Sequence, residues 1–116
     1  MKMITENMNR AVLYIRYGCV GHNDPSEEQR KLLVQEAASQ GMEVAGEYVD
    51  ACRSGMSSQN RPQLLKLLDD AKSGLFKHLL VFDMSRLSRG PDFQELITEL
   101  QGAGVTMHFV DNKVVM

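Results

Sequence analysis

A chain of 116 residues has room for one domain with a layered core and not for two independent ones. Hydrophobic residues at 43% and charged residues at 24% fall in the ordinary globular range, which argues against a disordered or fibrous chain. A net charge of −2 offers no general attraction for a phosphate backbone, so any contact with nucleic acid has to come from local clustering of arginine.

Residues 1–9 include Glu6 and lack an apolar core, so they are not a signal peptide and read as a flexible tail ahead of one domain spanning 10–116. Ala11-Val-Leu-Tyr-Ile-Arg16 is a continuous apolar run of strand length, as expected for a strand covered on both faces. Gly18, Gly21, Asn23, Asp24 and Pro25 break it into a loop. Ser26 and Gln29 have capping-box spacing, and the helix they open is expected to bury Leu33, Val34, Ala37 and Ala38 before Gly41 closes it.

Glu43 to Val49 supplies a second strand, weakened by Gly46, and the serine-rich stretch from Asp50 to Asn60 reads as a mobile loop. Pro62 suits the first turn of a helix whose inner stripe is Leu64, Leu65, Leu68 and Ala71, ending at Gly74. His78 to Phe82 is the third strand, followed by a serine- and arginine-rich loop to Gly90. Pro91-Asp92 opens a third helix with Phe93, Leu96, Ile97 and Leu100 inward, and Val105 to Val110 is the fourth strand.

This alternation predicts an α/β fold, a three-layer open and mainly parallel sheet with helices on both faces. In such sheets the ligand site lies beyond the carboxyl ends of the strands. The segments at that edge carry Arg16, Arg53, Arg61, Arg86 and Arg89. Guanidinium groups grip phosphate oxygens bidentately and stay charged when partly buried, so a phosphodiester is the ligand this rim suits. Arg86 and Arg89 are three apart, a spacing at which one helical turn would aim both at the same point. A dinucleotide binder would need G-x-G-x-x-G after the first strand, and Gly18-Cys-Val-Gly21 fails that spacing. A flavodoxin-like regulatory domain would need carboxylates at the ends of the first and third strands; Asp50 and Asp83 are available, but the first strand ends in Arg16 and Tyr17.

These residues carry a recognisable pattern. Tyr14-Ile-Arg16-Tyr-Gly-Cys19 resembles the Tyr-x-Arg-x-Ser-Ser/Thr signature of the resolvase/invertase family, the serine site-specific recombinases. Ser26-x-x-Gln29 looks like the family's glutamine-bearing first helix. Tyr48-Val-Asp50, Ser54-Gly55 and Asn60-Arg61-Pro62 are similar to its "D…SG…DRP" stretch. Val81-Phe-Asp83-Met-Ser-Arg86-Leu-Ser-Arg89 matches its "SRLSR" motif, in a form common in the large serine recombinase branch. The likeness spans about residues 11 to 111.

The resemblance implies DNA breakage through a covalent phosphoserine link without metal or other cofactor, strand exchange by subunit rotation, and resealing. It places Arg16, Arg61, Arg86 and Arg89 at phosphate-binding and transition-state positions, and Gln29, Asp50, Ser54 and Ser85 at supporting ones. It implies DNA and other recombinase subunits, or a second copy, as partners. At the nucleophile position the chain has Gly18, which has no side chain with which to attack phosphorus. Cys19 is adjacent, but consecutive residues of an extended segment point to opposite sides, so it should be misaimed. Gly18 marks either a naturally degenerate homologue or a substituted one.

The family also continues into a long helix and a DNA-binding region, which nothing after Asp111 supplies, so the expectation is a fragment or single domain. Two further readings stand beside a catalytic-domain homologue that lacks its attacker. One is a non-catalytic module pairing with recombinase subunits, and the other is the flavodoxin-like regulator. Cys19 and Cys52, in no CxxC pair, read as reduced thiols of a cytoplasmic protein, and no apolar run approaches the ~20 residues that span a bilayer. His22, His78 and His108 read as packed or surface histidines rather than metal ligands.

Overall fold

The structure, a computed structural model, describes residues 9–17, 26–51, 61–88 and 90–116. Five strands form one sheet: β1 (Arg10–Tyr17), β2 (Glu43–Ala51), β3 (His78–Val81), β4 (Thr106–Phe109) and β5 (Val114–Val115). The helices are α1 (Ser26–Ser39), α2 (Pro62–Lys72), the single turn α3 (Met84–Leu87) and α4 (Phe93–Gly102). The strand order is β2-β1-β3-β4-β5, parallel except for β5, which runs antiparallel to β4. The chain therefore steps to one side of β1 and then to the other. The crevice between the ends of β1 and β3 is the switch point where open α/β sheets place ligands.

β1 is buried along its whole interior, as its unbroken apolar run requires. Its side chains alternate: Val12 and Tyr14 join Leu79, Val81, Met107 and Phe109 against α2 and α4. Ala11, Leu13 and Ile15 join Leu80 against Leu33 and Ala37 of α1. Helices thus cover both faces.

Three helices end alike. Met42 N–H donates to the Ala37 carbonyl and Gly41 N–H to Ala38, a doubled bond that requires a left-handed residue at the cap; Gly41 has φ +72°. The same pair of bonds recurs at Gly74 and Gly104, so glycine stands at each position where a side chain would be strained.

The inner faces of two helices differ from those read off the sequence. In α1 the buried residues are Gln29, Leu33 and Ala37, one turn apart, while Val34 is 42% exposed and Ala38 lies outside. The capping-box reading also changes: Gln29 points into the protein, and its side-chain oxygen makes no reach-back bond. In α2 the stripe is Leu64, Leu67, Leu68 and Ala71, with Leu65 turned outward. Asp50 and Ala51, expected in a loop, extend β2, and 52–60 lie outside the described residues, as do 1–8. Among the described residues no helix is long and apolar enough to cross a membrane.

Candidate functional site

Arg16 leaves the carboxyl end of β1 beside the start of α3. Parallel pairing of β1 with β3 aligns Tyr14 with Val81, so the residues that follow both strands emerge side by side. Only 3% of Arg16 is exposed, and its guanidinium is held by main chain: Nη2 donates to the Ser85 carbonyl at 2.6 Å and Nε to the Arg86 carbonyl at 3.1 Å. Arg86 returns the contact, its Nη1 donating to the Arg16 carbonyl at 3.2 Å. Gln29 of α1, 4% exposed, donates to that same oxygen at 3.3 Å. The sequence-nominated Arg16, Arg86, Ser85 and Gln29 therefore converge on one cluster. Beside it, Arg86 Nε and Gln29 Oε1 are buried without a hydrogen-bond partner among the described residues.

Arg61 is fully buried at the head of α2, and its Nη1 donates to the Leu87 carbonyl and to the Tyr14 hydroxyl, the latter at 3.5 Å. A buried cation is costly unless it finds acceptors, and here the Leu87 carbonyl at the end of α3 and the Tyr14 hydroxyl serve. Tyr14 in turn donates to Asp50 Oδ2 at 2.8 Å. Burial above all, reinforced by the Asp50 carboxylate and opposed by Arg61, pushes the Tyr14 pKa well up, so the hydroxyl remains a donor.

Asp50 is 2% exposed and does a second job. Its carboxylate accepts from the backbone N–H of Gln63 and of Leu64, both at 3.0 Å. Arg61, the residue preceding α2, has no side-chain cap of its own, so a carboxylate from the neighbouring strand supplies the cap and the charge that a helix start favours. Asp50 is thereby bonded to Tyr14 and to the start of α2.

Two residues not nominated for the arginine site, Tyr14 and Asp83, tie the cluster together. Asp83 caps α3: its Oδ1 accepts from Ser85 Oγ at 2.6 Å and from Arg86 N–H at 3.1 Å. An aspartate two residues before a serine, just past a strand, is the signal that could have found it. The helical turn expected to carry Arg86 and Arg89 together stops at Leu87, because Ser88 is extended and its hydroxyl donates to Asp92 at 2.6 Å. Arg89, Gly18, Cys19, Arg53 and Ser54 lie outside the described residues, as do His22 and Cys52. Among the described residues no group of three or more histidines, cysteines and carboxylates could hold a metal.

Away from this edge, His78 and His108 share a hydrogen bond of 3.1 Å on the α1 face, so the two scattered histidines are in fact a pair.

The family model for the resolvase N-terminal domain matches residues 11–115. No curated protein matches the chain. Among solved structures, the N-terminal catalytic domain of TP901-1 integrase superposes with a TM-score of 0.81 at 24% identity, over 91% of this chain and 80% of that one, a likeness that bears on fold alone. The C-terminal catalytic domain of ISC1926 TnpA, an IS607-like serine recombinase, gives a TM-score of 0.79 at 28% identity, over 87% and 69%. A resolvase family site-specific recombinase from Streptococcus pneumoniae gives 0.77 at 28%, over 91% and 74%.

Proposed function

Because the chain belongs to the resolvase family as a serine recombinase catalytic-domain homologue, we propose that its arginine cluster holds a DNA phosphodiester while the chain, with Gly18, forms no covalent DNA adduct. The observation that carries this reading is the convergence of Arg16, Arg86 and buried Arg61 around α3 at the switch point of the sheet. Guanidinium groups fixed before the ligand arrives lose little entropy on binding and neutralise charge that builds at phosphorus during displacement. Arg16, Arg61 and Arg86, with Arg89, are the phosphate-binding groups of this proposal. Asp50 and Gln29 act by placing them, with Ser54 and Ser85 as further supporting residues. A hydroxyl at position 18 is the missing nucleophile.

Denaturing gels of the protein incubated with supercoiled DNA test the proposal. In a chain extended by the long helix and DNA-binding region of a relative, Gly18→Ser is expected to yield covalent protein–DNA adducts and the glycine form none; adducts from the glycine form would refute its inactivity. Equilibrium binding to a short duplex should weaken as salt rises, because released counterions drive the contact. Arg86→Ala should lower that affinity about tenfold, near the loss expected for one charge-assisted phosphate contact.

Gly18 itself favours a second reading, in which the domain pairs with catalytically complete recombinase subunits and contributes a silent site. Mixed assemblies with an active relative, separated by size, should then cleave fewer strands per complex than the active relative alone.

A further inference from the structure

We propose that Asp83 is a positioning residue for the arginine cluster: its carboxylate holds α3 in the one arrangement that presents the Ser85, Arg86 and Leu87 carbonyls to Arg16 and Arg61. The inference rests on the reading of that cluster as a phosphodiester site and names a residue that reading does not use. α3 is four residues long. A turn of that length cannot sustain itself, since nucleating a helix fixes several dihedrals for a single hydrogen bond. Its shape must come from its two ends.

At the amino end, Asp83 is extended (φ −150°, ψ 175°), and its Oδ1 takes both the Arg86 N–H and the Ser85 hydroxyl. At the carboxyl end, Ser88 N–H closes on the Met84 carbonyl at 3.0 Å, while Ser88 Oγ donates to Asp92 and accepts from Gly90 N–H at 3.2 Å. Between these anchors the three successive carbonyls of residues 85, 86 and 87 have no following helical N–H to accept from, and they are the acceptors that Arg16 and Arg61 use. Arg86 is doubly dependent: Asp83 holds its N–H, and Arg16 is bonded at both its backbone oxygen and its side chain. Loss of the Asp83 carboxylate would release the turn and leave two buried guanidinium groups with displaced partners. Asp83 itself touches no reacting atom in this scheme and acts through the backbone.

An ordinary helix cap would affect stability alone, so the test reads the arginines directly. In nitrogen-15 spectra of the intact chain, the Arg16 Nε–H should exchange slowly with water. Arg30 Nε–H, bonded to Glu47 at 2.8 Å on the opposite side of the sheet, is the internal control. Asp83→Ala should speed Arg16 exchange by about fivefold or more, the factor that corresponds to a lost cap, with Arg30 unchanged. Asp83→Gly should speed it by a smaller factor, about twofold, because glycine costs a helix start little stability, and this guards against a variant that merely unfolds. Asp83→Asn keeps an acceptor oxygen and should restore slow exchange. Affinity for a short DNA duplex should fall and recover in parallel. Equal acceleration at Arg16 and Arg30, or no change at Arg16, would overturn the inference. A chain that binds no duplex at low salt would instead sink the phosphodiester reading, while the exchange rates still decide the role of Asp83.

Discussion

Beneath α2 and α4 the sheet offers Val12, Leu79, Val81, Met107 and Phe109 to a set of leucines with almost no exposure. Beneath α1 the fully buried apolar set is smaller, Ala11, Leu13, Ile15 and Leu80 against Leu33 and Ala37 with Tyr17, Met42, Val49 and Val110 at its margin, and polar links join it. Arg30 forks onto both carboxylate oxygens of Glu47 at 2.8 Å, holding that carboxyl's pKa low. Gln29 reaches the Arg16 carbonyl, and the two histidines bond each other. The first face supplies cohesion. The second sets how α1 sits over the sheet, and through Gln29 it touches the arginine cluster.

The sharpest way to break that contrast is to cut one leucine from each side. Leu79→Ala is expected to cost about 4 kcal/mol and Leu33→Ala about 2, since a single helix resting on small residues can settle into the gap. Urea midpoints at unchanged slope would show it, and equal losses would dissolve the distinction. Next comes Asp50→Ala, which leaves a buried hydroxyl and two helix-start amides without their acceptor; about 3 kcal/mol should go, and Asp50→Asn should lose markedly less.

The histidine pair sharpens the α1 side. Burial first, and then His78, push the His108 pKa below its usual 6.5, with Glu36 pulling the other way. A depressed histidine favours the neutral form in the folded state. Its stabilisation is therefore complete above the unfolded value and is lost as pH falls below it. Thermal melts taken between about pH 7 and pH 5 should show that decline, and His108→Gln should flatten it. The smallest effect belongs to Arg30→Ala, an exposed pair expected to contribute about 0.5 kcal/mol and to fade in salt.

Much of this was legible from residue order. Parallel strands with short crossovers bring the ends of β1 and β3 together whatever the side chains do, so Arg16 and Arg86 could be placed at one edge from the sequence. What they hold could not, because main-chain carbonyls leave no mark in an amino-acid string. The capping of α2 by Asp50 was hidden for a related reason: the helix start and its cap belong to different elements. Val34, Ala38 and Leu65 were assigned inward because they are apolar. The true inner line of α1 runs through Gln29, a polar residue that an apolar count passes over. Two-residue β5 is too short to leave any periodicity.

The two borders of the sheet are not equivalent. At one, the chain doubles back through Lys113, at φ +57°, and β5 occupies β4 for two residues before Met116 closes onto the Met107 carbonyl at 2.8 Å. At the other, β2 runs for nine residues with Glu43 through Glu47 exposed. So short an outer strand is a poor template for a neighbour, whereas the β2 border could accept one.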